Sequence, residues 1–444
     1  MSNERRSLTG WGRSITSLSE VAGVRLPADV GSTGGPRGDI ARGLGRSYGD
    51  AALNSGGRVF VTESLDEISL DSDRGVLRAG AGVSLGTILS ASVPKGWFLP
   101  VVPGTKHVTL GGALAADIHG KNHHREGSFS EHVTSFRMVT ANGDMRTVDR
   151  ADTNTFCATA GGMGLTGVIT EATIQLRPIE TPLVAVDTKR TADIDELMAE
   201  MEATDDTYRY SVAWVDLLAR GASMGRGVLT QADHAPRDAV TAQLPDNGRR
   251  TREIEVPDLV PSGALNRASV AAFNRAWYAR APVRRIGELQ HLDRFFFPLD
   301  MIRDWNRLYG RRGFIQYQLA VPPGGEGTVV KVVDALASRR VPTFLAILKR
   351  FGGGTGLLSF PIEGWTLSVD VPLGVAGLRQ LLDTFDQWVI EAGGRGYLAK
   401  DSRMRPDVFR AMYPEFDRWD AIRRELDPEC RWRSDLARRL DIGR

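Results

Sequence analysis

Three stretches of this chain carry residue types that could bind phosphate oxygens and place polar, proton-transferring groups nearby. The first is RGLGRSYGDAAL, residues 42–53, where Gly43, Gly45, Ser47 and Gly49 surround one charge, Arg46. Glycines let consecutive backbone N–H groups point into one concavity, and such a nest binds phosphate oxygens. The second is PGTKHVTLGGALAADIHGKNHH, residues 103–124: a glycine pair (Gly111, Gly112), a run of small residues, then Asp117, His119, Lys121, His123 and His124. The third is GGMGLTGVITEATIQLRP, residues 161–178, where glycines feed a β-branched strand. A glycine-rich turn alone is most often only a turn. Here it is not alone: two more glycine-rich stretches follow it, the first of them ending in a polar cluster. His119, His123 and His124 have no clear companion acidic ligand, so no metal is expected.

These stretches need elements to hold them. RVFVTESL alternates and reads as a strand. GVLRAGAGVSLGTILSASV, residues 75–93, reads as strand, turn and helix, with Ser84 as N-cap and Leu85, Ile88 and Leu89 on one face. SFRMVTANGDMRTV, residues 135–148, sets Asn142-Gly143 between two alternating runs and predicts a hairpin. Residues 153–178 predict a helix ending at Gly161 and a strand from Val168 to Leu176. Before the nest, residues 1–30 contain Trp11 and a helix-like stretch ending near Pro27. Trp11 has two readings, packing or a cap on the site.

The pattern changes near residue 180. TYRYSVAWVDLL, residues 207–218, predicts a strand, whereas residues 231–262 have no period and read as a mobile or unordered segment. Residues 266–300 mix arginines with Phe273, Trp277, Tyr278 and three consecutive phenylalanines. That composition suits either an amphipathic helix followed by buried aromatics or contact with an anionic membrane surface. Three strands follow at 313–321, 343–351 and 365–371. Alternation groups Gln316 with Gln318, Lys349 with Phe351, and Thr366 with Ser368. Residues 375–394 predict a core helix, and Pro406 is well placed at a helix start.

With 444 residues the chain is too long for one core. A net charge of +2 gives no reason to expect nucleic acid. Two distant cysteines, Cys157 and Cys430, argue against a disulfide framework. No apolar run approaches the ~18 residues of a spanning helix. The arginine pair in MSNERRSLTGWGRS is not followed by an apolar region, so export is not expected and a cytoplasmic or peripheral membrane location is.

The order of nest, small-residue wall with a polar end, and Gly-Val-Ile-Thr strand resembles the FAD domain of the vanillyl-alcohol-oxidase superfamily. DIHGKNHH, KDSR at 400–403 and SDLARRL at 434–440 are similar to the polyprenyl-phosphoryl-ribose oxidases within it, nearly end to end and least so around 180–300. The resemblance implies an α+β, two-domain flavoprotein. Residues 1–179 would form a PCMH-type FAD domain, 180–394 a substrate domain with an antiparallel sheet, and 395–444 a segment returning to the FAD domain.

It also implies roles. Non-covalent FAD would meet Gly43, Leu44, Gly45, Arg46, Ser47, Tyr48, Gly104, Thr105, Gly111, Gly112, Asp117, His119, Gly120, Asn122, Gly167, Ile169 and Lys400. Covalent relatives carry His where Arg46 stands, and bicovalent ones add a Cys absent from 117–124 here. Lys400 would offset the negative charge of reduced flavin, with His119 and Lys121 beside it as catalytic candidates. Gln316, Gln318, Lys349, Phe351, Thr366, Ser368 and Phe296 would line the substrate site. The implied reaction is oxidation of the 2′-hydroxyl of a polyprenyl-phosphoryl ribose, such as the decaprenyl one. A separate NADH-dependent reductase would complete epimerisation to the arabinose donor of cell-wall arabinan. Mycobacterial members carry Asn and Cys where Thr366 and Ser368 stand, and Tyr in place of Phe296, so lipid length does not follow. A sugar-alcohol or aldonolactone oxidase, and a flavin-holding subunit without catalysis, are the other readings.

Overall fold

Strand alternation sorts the chain into three large sheets. The structure, a computed structural model, describes residues 4–240 and 254–443. The first sheet has the order Glu4–Thr9, Thr16–Gly23, Arg58–Val61, Asp39–Arg42, and its last three strands run parallel. Thr16–Gly23 corrects the helix expected before Pro27. Its period is two, but Ser17 and Ser19 occupy inward positions and hide it from an apolar count. Burial of Ser19 is made possible by its hydroxyl donating to Asn54 O at 2.8 Å.

The second sheet is antiparallel: Ile68–Asp71, Val76–Gly80, Val168–Gln175, Val133–Val139, Met145–Asp149. The last two strands form the expected hairpin, with Gly143 at φ +89° in its turn. Helix Leu85–Ser92 begins where predicted, its Ser84 hydroxyl accepting from Thr87 N–H. Such a cap contributes about 1 kcal/mol.

The third sheet has eight antiparallel strands in the order Arg284–His291, Leu183–Thr191, Gly227–His234, Tyr210–Val215, Ala346–Phe351, Gly364–Pro372, Phe314–Val321, Arg395–Gly396. Helices Ile194–Thr204, Glu326–Ser338 and Leu378–Glu391 pack on it through Leu197, Met201, Val332, Leu336, Leu382 and Phe385. Register puts Gln318 opposite Ser368, Gln316 opposite Asp370 and Lys349 opposite Thr366, so these polar residues share one face.

Two expectations for the middle of the chain change. Residues 231–234 close a regular strand, and residues 241–253 lie outside the described ones. Within 266–300, a strand (Arg284–His291) follows the Arg267–Arg280 helix at the edge of the sheet. Its residues are exposed in the first half and half-buried in the second, with none fully buried, so no apolar alternation marked it.

The tail packs against the first sheet. Arg431 is buried and reaches Asp39 at 2.9 Å, while also donating to Val30 O, Gly31 O and Ala141 O. Asp39 takes a second ion pair from Arg58 at 2.7 Å. Arg439 joins Asp50 and Asp401, both at 2.7 Å. Buried charges held this way fix geometry, because losing one partner strands the other in a dry interior.

Candidate active site

Strand Asp39–Arg42 runs directly into the nest. Backbone N–H groups of Gly43, Leu44, Gly45, Arg46 and Ser47 make no hydrogen bond among the described residues. Five consecutive donors without an internal acceptor are what a pyrophosphate requires. Gly45 is left-handed, φ +64°. A Cβ on Gly43 would stand 2.2 Å from Thr109 Oγ1, so only glycine allows the nest to approach the helix Leu110–Ala115.

The nest is clamped from two sides. Trp11 N–H donates to Ser47 O at 2.8 Å, and the Arg46 guanidinium lies 4.0 Å from the Trp11 ring. Trp11 therefore packs on Arg46. From the other side Tyr48 N–H donates to Ala399 O at 2.9 Å. A Cβ on Gly49 would lie 1.9 Å from Asp401 O. These contacts bring Lys400 beside the nest from far along the chain.

The glycine pair behaves differently from the nest. Gly111 N–H donates to Ala81 O at 2.9 Å and Gly112 N–H to Thr109 Oγ1 at 3.2 Å. Neither donor is free for a phosphate, so the pair's contribution is close backbone approach. Gly104 is open, with nothing within 4 Å of an added Cβ, and Thr105 Oγ1 accepts from His107 N–H. Gly167 fits under Met138 and Val139, and Ile169 pairs with Met138 in the second sheet.

In DIHGKNHH the backbone turns at Asp117, φ +40°. The Asp117 carboxylate is buried and accepts from Ser130 N–H and the Ser359 hydroxyl, which ties three loops together. Gly120 leaves room for Asn122, whose Nδ2 donates to Pro100 O at 2.8 Å while its Oδ1 has no partner. His123 bonds Ser128 Oγ at 3.0 Å and accepts from Gly352 N–H, so its imidazole is satisfied structurally, while His124 bonds Tyr208 O at 3.0 Å and leaves its Nδ1 buried without a partner. Among the described residues no His, Cys, Asp or Glu cluster could hold a metal.

His119 is 6% exposed, against the rings of Phe351, Phe360 and Tyr397. Its tautomer follows from its neighbours. The Thr366 hydroxyl donates to Leu319 O at 2.8 Å, so it must accept from Gln318, 3.0 Å away. That fixes the Gln318 NH2 group toward Thr366 and toward His119 Nε2, also 3.0 Å away. Nε2 therefore accepts and Nδ1 carries the proton, buried and unpartnered. Burial first, then Lys349 and Lys400, hold the imidazole neutral.

Three lysines converge on this polar face. Lys400 Nζ donates to Ser368 Oγ at 3.4 Å. Lys349 is pushed down to about 7 by burial and by Lys400 and Lys121. Lys121, also about 7 through burial, donates to Phe295 O and lies 4.1 Å from that ring. Phe296 is 1% exposed within the same aromatic group, 5.6 Å from the Lys121 ammonium. Against these cations stands Asp370, fully buried, which sequence reading missed. The period that placed Thr366 and Ser368 continues to it in WTLSVDV, so alternation alone could have found it.

The arrangement suits a substrate and cofactor that carry negative charge. Buried amide oxygens of Gln316 and Gln318 have no partner, which leaves acceptors for hydroxyl groups.

Comparison with known proteins agrees. The profile of the FAD binding domain family matches residues 40–149, from the strand before the nest through the hairpin. That of the D-arabinono-1,4-lactone oxidase family matches residues 373–440. The chain is 40% identical to the decaprenylphosphoryl-beta-D-ribose oxidase of Mycolicibacterium smegmatis, over 98% of each chain. An uncharacterised protein of Streptomyces coelicolor is 41% identical over 81% of this chain and 100% of its own length. The L-gulono-1,4-lactone dehydrogenase of Mycobacterium tuberculosis is 22% identical over 93% of each chain. The protein is thus an FAD-dependent oxidoreductase with an α+β flavoprotein fold. Identity of this extent, with the nest and lysine face in place, makes the chain a member of the decaprenylphosphoryl-β-D-ribose oxidase family.

Proposed function

We propose that the protein oxidises the 2′-hydroxyl of a polyprenyl-phosphoryl ribose, of the decaprenyl type, to the 2′-keto sugar. The observation that carries this reading is the buried face where Gln318 fixes His119, Lys400 meets Ser368, and Lys349 stands between Lys400 and Lys121. Bound FAD supplies the hydride acceptor. Residues 43–47 would hold its pyrophosphate, with Tyr48, Gly104, Thr105, Gly111, Gly112, Gly120, Asn122, Gly167 and Ile169 along its length. Asp117 would shape the loop rather than touch it.

Lys400 would offset charge on the reduced cofactor. The His119 Nδ1–H would orient the sugar, and Lys121 or Lys349, each near 7, could take the hydroxyl proton. Gln316, Gln318, Thr366 and Ser368 would accept or donate to ribose hydroxyls, while Phe351 and Phe296 back the site. A division at residues 180 and 395 into FAD domain, substrate domain and returning tail belongs to the same proposal.

The soluble-polyol reading keeps a foothold in the lactone-oxidase match over residues 373–440. Anaerobic mixing separates the two: prenyl-phosphoryl ribose should bleach the flavin, and xylitol should not. Bleaching by xylitol alone would favour the polyol oxidase, and bleaching by neither a flavin-holding subunit.

A separate NADH-dependent keto-reductase would consume the product. The lipid tail would be met at the membrane surface. Among the described residues no helix is long and apolar enough to cross a membrane. Helix Arg267–Arg280 exposes Phe273 (37%) and Trp277 (49%), stacked 6.0 Å apart, near the exposed Arg275 and Arg280. Vesicles with anionic lipid should therefore carry the protein down at low salt and release it at high salt. Sedimentation independent of salt would remove the electrostatic part of this contact.

A further inference from the structure

Asp370 has neighbours unusual for a buried carboxylate. It lies two residues beyond Ser368 on the same face of strand Gly364–Pro372 and is fully buried. Its oxygens accept from the Tyr309 hydroxyl at 3.2 Å and from the Gln316 amide, both neutral donors. Tyr309 is itself fixed, stacked on Phe314 with ring centroids 4.0 Å apart. Among the described residues no cation pairs with Asp370 directly. A buried carboxylate in that state is costly, and burial pushes its pKa up.

The cation that acts on this carboxylate is Lys400, whose ammonium donates to Ser368 Oγ at 3.4 Å on the same face. Ser368 and Asp370 project from the same strand face two residues apart, so the ammonium held at Ser368 and the carboxylate act on each other where no water screens them. The other groups facing Lys400 are known. Lys349 and Lys121 are cationic or half so, and His119 is neutral. The Tyr48 ring, 5.4 Å away, and Tyr309 are phenols that burial keeps protonated. Arg46 belongs to the nest, over Trp11. Asp370 is the acid that favours charge on Lys400, and burial opposes it.

We propose that Asp370 is the counter-ion of Lys400, a positioning residue that keeps the ammonium charged beside Lys349 and Lys121. The inference rests on the reading that Lys400 stands next to the flavin. Tyr309 and Gln316 act one step further out, by holding the carboxylate in its charged form.

The test follows the reduction potential of the bound flavin against pH in the holoenzyme without substrate. A charged Lys400 favours the reduced cofactor, so the parent should show an alkaline break where that lysine discharges. Asp370→Asn should move the break down by about one pH unit or more, a tenfold change in proton affinity. Asp370→Glu should restore it. In Lys400→Met the break should vanish, and adding Asp370→Asn should change nothing further. An unmoved break in Asp370→Asn, or an equal shift in the Lys400→Met background, would overturn the proposal. A parent-like profile in Lys400→Met would instead show that Lys400 is remote from the flavin, and the inference would fall with that reading. Should Asp370→Asn not retain flavin, Tyr309→Phe removes one donor from the carboxylate. It should move the break in the same direction, and an unmoved break there would overturn the proposal equally.

Discussion

Lys400→Met is expected to keep its flavin and lose a factor on the order of 10²–10³ in the rate of flavin reduction by substrate. The nest does not depend on this side chain: Tyr48 N–H is held by the backbone of Ala399. Methionine fills most of the lysine's volume, and the Asp370 carboxylate left without its cation can take a proton, since burial already raises its pKa. The loss should therefore fall on the chemical step. Rapid mixing under anaerobic conditions reads the rate, and bleaching near the parent's rate would remove Lys400 from the mechanism.

Gly45→Val should give a folded but colourless protein. The cause lies in the geometry of the turn. A Cβ at this position would come within 2.2 Å of the Arg42 guanidinium, which is pinned by bonds to Thr9 O and Ala52 O. A β-branched residue is also a poor fit at φ +64°. Both effects should open the turn that aligns the free N–H groups. Flavin absorbance per protein measures the outcome, and stoichiometric flavin would place the pyrophosphate elsewhere. In the parent, acid precipitation should leave the yellow colour in solution, because Arg46 offers no covalent attachment.

Much of this was legible because local rules and long-range packing agreed. The Asn142-Gly143 turn and the Ser84 cap are decided within a few residues, and both formed as predicted. Gln316, Gln318, Lys349, Thr366 and Ser368 were grouped by a period of two, which antiparallel register then aligned on one face. Legibility failed where burial was polar or exposure apolar. Thr16–Gly23 hides its strand behind buried serines, and Arg284–His291 is an edge strand with little to bury. The use of Gly111 and Gly112 N–H groups inside the fold could not be read from glycine content. Their acceptors, Ala81 O and Thr109 Oγ1, are set by tertiary contact. Asp370 was missed although the alternation that grouped Thr366 with Ser368 continues to it; what alternation could not supply is its burial, which Tyr309 and other covering elements set.

The account stands most directly on which hydrogen the bound substrate loses. Prenyl-phosphoryl ribose carrying deuterium at C2′ should bleach the flavin markedly more slowly than the unlabelled compound, and its product should lack the label. Deuterium at C3′ should change neither rate nor label. A slowed rate with C3′ label, or retention of the C2′ label in the product, would contradict the assignment of the reaction.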